Sequence, residues 1–104
     1  MKSVNLVTQS GASDLTGTPF EVPPSYPGVR ATATLELTKG GATDVSAFVE
    51  VSPDGGTTWY ISASLSTANA TTSVASVPFG GKVRARVISG GDAGDAGTVN
   101  LYWN

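Results

Sequence analysis

The sequence contains no cysteine and no histidine, and only 13% of its 104 residues are charged. Without cysteine there is no disulfide framework and no thiolate to act as nucleophile or metal ligand. Without histidine the chain lacks the side chain that exchanges protons nearest neutral pH, and with it the commonest metal ligand. Six Lys and Arg against eight Asp and Glu, a formal net charge of −2, supply no cationic excess for phosphate contacts, so no nucleic-acid partner is expected. No run approaches the ~20 apolar residues of a membrane helix, so no membrane partner is expected. Residues 1–15 hold no continuous apolar stretch of the kind a secretory signal carries, and synthesis in a reducing cytosol is the expectation. No carboxylate pair is set apart and no general base accompanies a serine, so neither an enzyme nor a cofactor is expected.

What the chain does have is alternation. Val29, Ala31, Ala33, Leu35 and Leu37 interleave with Arg30, Thr32, Thr34 and Glu36. Strand side chains point to opposite faces with period two, so this is a long β-strand with one dry and one wet face. The odd positions continue as dry ones through Val45, Ala47, Val49 and Val51, then Trp59, Ile61 and Ala63. Val83, Ala85 and Val87 follow, then Val99, Leu101 and Trp103. On this reading Trp59 belongs to the core, together with Leu35, Leu37, Leu101 and Trp103. The many Val and Ala residues predict two layers lying close together. Glu36, Glu50, Arg84 and Arg86 fall on the wet face, where opposite charges on neighbouring strands pair.

Strands are predicted over residues 1–8, 19–22, 29–37, 45–52, 57–63, 72–77, 82–89 and 98–103. Pro23, Pro24 and Pro27 enforce an extended, non-helical path and place their segment at an edge or over the surface. Turn signals recur every ~8–12 residues, the rhythm of a sandwich or small barrel, and from Val29 onward the chain reads as successive hairpins. The fold class is all-β: a single-domain antiparallel β-sandwich or jelly roll of about seven to eight strands over 1–104. Residues 1–28 form an N-terminal arm or edge segment in this reading.

Five local features bear on function. Ser52-Pro53-Asp54-Gly55-Gly56-Thr57-Thr58-Trp59 matches S-x-D-x-G-x-T-W and resembles the Asp-box of sialidase-type propeller blades. The resemblance covers these eight positions alone. It implies a structural turn in which Ser52, Asp54, Gly56 and Trp59 tie up a hairpin, with no glycosidase role. Asp92 and Asp95 lie in the glycine-rich stretch 90–97. Two carboxylates are few for Ca²⁺, which takes six to eight oxygens, so a flexible charged loop and no metal are expected. Lys82, Arg84 and Arg86 make a basic stripe that meets an acidic partner, pairs with acidic neighbours or is merely solvated. The triplet Asn69-Ala70-Thr71 is a chance glycosylation match without a signal peptide. Phe48, Tyr60 and Tyr102 occupy the wet parity. Together with Phe20, Tyr26, Arg84 and Arg86 they are candidates for an interface with another subunit; the alternative is a covering loop formed by the Pro-rich stretch 20–26.

As a whole the chain resembles a group of small tailed-bacteriophage virion proteins. The features that carry this are Pro27-Gly28-Val29 opening the long strand to Leu37-Thr38-Lys39-Gly40, then 49–60 with its compact turn. Val83-Arg84-Ala85-Arg86-Val87 and the terminal Val99-Asn100-Leu101-Tyr102-Trp103 complete them. The group often has a longer turn in the middle hairpin. The resemblance implies a structural accessory protein of the particle, a capsid decoration (cement) protein on the virion surface. Its partners would be the major capsid protein and further copies of itself, a trimer being one arrangement. A tail, fibre-base or head–tail module that contacts carbohydrate through Trp59, Tyr60 or Tyr102 is the alternative. The resemblance brings no catalytic residues with it.

Overall fold

The computed structural model describes residues 2–21, 30–78 and 81–103. Within them there is no helix, and nine strands form two antiparallel sheets. The strands are β1 (Lys2–Ser10), β2 (Leu15–Thr16), β3 (Phe20–Glu21), β4 (Arg30–Thr38), β5 (Ser46–Ser52), β6 (Tyr60–Ser66), β7 (Thr72–Pro78), β8 (Lys82–Ile88) and β9 (Ala96–Trp103). One sheet has the order β1-β9-β4-β7. In the other, β8 lies between β5 and the two short strands β2 and β3, and β6 closes the far edge. The radius of gyration, 13.5 Å, matches the ~13 Å of a single compact domain of 100 residues.

The dry face is where alternation puts it for most strands. Ala31, Ala33, Leu35 and Leu37 of β4 are buried against Val45, Ala47 and Val49, and Val83, Ala85 and Val87. Val99 and Leu101 complete this layer. The short side chains let the sheets approach closely: a Cβ added at Gly97 would lie 2.8 Å from Val87 Cγ1 and 2.9 Å from Leu37 Cδ2. Phe20 turns inward from β3 and meets Trp103, with ring centroids 5.3 Å apart, so these aromatics close the core laterally.

Three expectations need correction. First, successive hairpins are not the rule. Among the described residues, only β5 and β6 are consecutive strands paired with each other; β4, β7 and β9 lie in one sheet while β5, β6 and β8 lie in the other. Most ladders are therefore long-range, such as β1 with β9 and β5 with β8. Second, β6 begins at Tyr60 and runs to Ser66, later than the predicted 57–63, because the Asp-box turn occupies residues up to Trp59. Third, the odd-face rule fails in β6. Val49 pairs with Ala63 but Glu50 pairs with Ile61, so Ser62 is the extra residue of a β-bulge. One extra residue flips all positions beyond it. Ile61 is consequently 57% exposed, and Trp59 lies outside the core.

The segment 2–21 is built into sheet edges. β1 pairs with β9 along its length, and β2 and β3 pair with β8. Leu6 is a bulge residue between the paired Asn5 and Val7, which lets both Leu6 and Val7 reach the core. Val29 and the proline-rich stretch lie outside the described residues.

Candidate docking face

The outer face of the β5–β8 pair gathers the chemically distinctive side chains. Even positions of both strands point outward and stand opposite each other: Phe48 with Arg86, Glu50 with Arg84, and Ser52 with Lys82. Directly opposed Cβ atoms are about 4.5–5.5 Å apart, so the side chains must interact. The Arg86 guanidinium carbon sits 4.9 Å from the Phe48 ring centroid. That of Arg84 sits 4.2 Å from the Trp59 ring centroid. Glu50 lies between the two arginines. Arg84 Nε donates to its Oε1 at 2.8 Å, and Arg86 Nε faces its Oε2 at 3.5 Å. Only 8% of the Glu50 side chain is exposed, against 26% and 34% for Arg84 and Arg86. The result is a layer in the order Phe48, Arg86, Glu50, Arg84, Trp59.

Trp59 reaches this layer through the Asp-box. Asp54 Oδ1 accepts from the Ser52 hydroxyl at 2.7 Å and from the N–H groups of Thr58 at 2.9 Å and Thr57 at 3.2 Å. Ser52 Oγ in turn accepts the Gly56 N–H at 2.8 Å, and the Trp59 indole N–H donates to the Gly56 carbonyl at 3.2 Å. Gly56 has φ +109°, the left-handed region that favours glycine. The Thr58 N–H, followed by the Ser52 hydroxyl, holds the Asp54 carboxyl down at about 2. The turn is thus closed by its own side chains, and it sets the indole beneath Arg84.

The interface candidates do not form one patch. Phe48, Arg84 and Arg86 come together around Glu50, which shares their wet face as expected, and Trp59 joins them as the member not anticipated there. Tyr102 lies on the outer face of the other sheet, opposite Thr32 and Ser3. Tyr60 is 57% exposed at the end of the β5–β6 hairpin. Phe20 packs inward, and Tyr26 lies outside the described residues. The guanidinium of Arg84 covers one face of the Trp59 ring, leaving that face closed to a stacking sugar.

The loop holding Asp92 and Asp95 departs from the flexible, solvated segment expected. Asp95 is 1% exposed. Its carboxylate accepts the Gly40 N–H at 2.8 Å, the Ser89 hydroxyl at 2.7 Å and the Gly90 N–H at 2.8 Å. These donors, the Gly40 N–H foremost, lower its pKa. The Asp95 carbonyl also accepts the Gly11 N–H at 2.8 Å. One residue therefore ties the β1–β2, β4–β5 and β8–β9 connections at one end of the sandwich. Its lone pairs are occupied by N–H and O–H donors, an arrangement that suits a structural carboxylate and not a calcium ligand. Among the described residues no group of three or more Asp, Glu, His or Cys could hold a metal. Nothing in the sequence distinguishes Asp95 from Asp92, since only the fold decides which of the two turns inward.

Comparison with known proteins adds no relative: no protein-family model matches the chain, and no curated protein matches it.

Proposed function

We propose that this protein is a structural component of a tailed-phage particle, a capsid decoration protein that docks between major capsid protein subunits on the outside of the head. The resemblance of the chain to small virion proteins motivates the reading. The observation that carries it is the Phe48–Arg86–Glu50–Arg84–Trp59 layer. Aromatic residues and arginine are the side chains enriched at protein interfaces, and they dominate binding when held in place beforehand. Here cross-strand pairing, a largely buried ion triad and a side-chain-closed turn hold them. A rigid face loses little conformational freedom on docking. Binding to the intact shell in preference to a loosened one stabilises the shell by mass action, and repeated copies on a lattice reinforce modest contacts.

The test mixes purified protein with expanded shells that lack it, and measures occupancy and the temperature at which shells break. Saturable binding and a raised breakage temperature are expected. Phe48→Ala combined with Arg86→Glu should lower occupancy. Absence of binding at micromolar concentration overturns the proposal, as does a copy number in the particle far below that of the shell lattice.

A further inference from the structure

Each sheet has two edges, and among the described residues three of the four are interrupted. β1 carries a bulge at Leu6 and a lysine at its start. β6 carries the bulge at Ser62. The edge beyond β8 is split into two strands of two residues each. Bulges, charges and short strands are the devices that keep edges from pairing with other chains. β7, the remaining edge, has none of them before its last residue. Its sequence Thr72-Ser73-Val74-Ala75-Ser76-Val77-Pro78 has no charge, and its pairing with β4 is regular throughout.

The direction of its free backbone groups can be read from one hydrogen bond. The Leu37 N–H donates to the Thr71 carbonyl at 2.8 Å, in register with the β4–β7 ladder. In an antiparallel pair the hydrogen-bonded positions alternate, so Ser73, Ala75 and Val77 also turn their backbone groups toward β4. Thr72, Val74 and Ser76 turn theirs away. Pro78 has the outward parity as well, where its missing N–H costs no ladder bond. On the outer face of the sheet Val74 is 72% exposed, the highest value among the large exposed hydrophobic residues.

We propose that β7 pairs antiparallel with β7 of a second copy about a two-fold axis at Val74, joining two sheets into one. In this register Val74 exchanges both backbone hydrogen bonds with the partner's Val74. Thr72 does so with the partner's Ser76, and Ser76 with the partner's Thr72. The two exposed valines meet side by side, and Pro78 ends the ladder. The flanking charges fit the same axis. Arg30 and Glu36 lie at opposite ends of β4 on this face, and both are exposed. Arg30 leans across β7, its Nε donating to the Ser76 hydroxyl and its Nη2 lying 3.5 Å from the Ser76 carbonyl, a long contact that the ladder bond from the partner's Thr72 would replace. The two-fold places the partner's Glu36 on the same cross-strand row as Ser76, two strand spacings or about 10 Å away, so each arginine faces a glutamate of opposite charge across the seam. A register odd in residue sum would set outer-face side chains against inner-face ones, so the two sheets could not continue as one. The proposal goes beyond the docking reading and does not depend on it.

Sedimentation equilibrium of the free protein, from micromolar to millimolar concentration, should show a monomer–dimer equilibrium. Val74→Lys should weaken it by roughly tenfold or more. Val74→Pro should do the same, since that proline removes only an outward N–H. The exposed position leaves folding intact, which circular dichroism checks. The chain has no cysteine, so Val74→Cys should oxidise to a covalent dimer, while Thr34→Cys, one strand further in, should not. A protein monomeric throughout this range overturns the proposal, as does a dimer that Val74→Lys and Val74→Pro leave unchanged. Shell binding is scored separately, so either idea can fail while the other stands.

Discussion

Two carboxylates show how placement sets what a residue does. Asp54 is exposed but saturated with donors, and its pKa falls from 3.8 to about 2. A carboxyl held lower in the folded than in the unfolded chain adds stability that is present above pH 3.8 and lost as pH falls through about 2. Melting temperature should therefore decline as pH is taken from 4 toward 2. Asp54→Ala should lower the melting temperature at neutral pH and flatten this part of the decline. An unchanged profile in the variant would show that other carboxyls control it. Glu50 works differently, as the one anion between two arginines. Glu50→Ala leaves both cations facing each other over a sheet. Breaking a fully buried pair costs about 3–5 kcal/mol; with the arginines a quarter to a third exposed, about 1–3 kcal/mol is expected in urea denaturation. A double-mutant cycle with Arg84→Ala isolates the pair.

At the scale of the element, β6 is decided by one extra residue. Its sequence Tyr60-Ile61-Ser62-Ala63-Ser64-Leu65 invites the odd-face assignment that holds for β4, β5, β8 and β9. The bulge at Ser62 keeps Ala63 and Leu65 toward the core and turns Ile61 out. Ile61→Thr should change stability by no more than about 0.5 kcal/mol, as for other surface positions. Leu35→Ala, at a position 1% exposed, should cost about 2–5 kcal/mol. Similar losses for both variants would restore Ile61 to the core and remove the bulge. A bulge leaves no composition signal here, because Ser62 is as ordinary in a wet position as in an extra one. β4 was legible for the opposite reason: Ala and Leu alternate with Thr and Glu without interruption, and any slip would bury charge.

For the molecule as a whole, thinness is the controlling property. Ala31, Ala33, Ala47 and Ala85 are all fully buried, so the sheets meet over methyl groups. Ala85→Leu inserts volume where no space exists and should cost about 1–3 kcal/mol, measurable as a lower urea midpoint. A neutral outcome would mean the layers can part locally. Most of the sheet ladders join strands distant in sequence, so the strand order was not legible. Alternation identifies which side of a strand is dry but carries no information on which strand lies beside it. The docking layer was half legible for the same reason. Phe48, Arg84 and Arg86 showed their outward parity in the sequence. That they share a row with Glu50, and that Trp59 caps it, depends on register and on the β6 bulge.

The sequence by itself determined the all-β class, the dry faces of β4, β5, β8 and β9, and the self-closing turn at 52–59. Each is a local matter: side-chain period and turn chemistry act within a few residues. The tertiary structure alone decided the strand order, the burial of Asp95 across three connections, the outward turn of Trp59 and Ile61, and the exposed regular edge of β7. Those outcomes depend on which backbone groups find partners far along the chain, and pairing energy of that kind is settled only when both sheets close on each other.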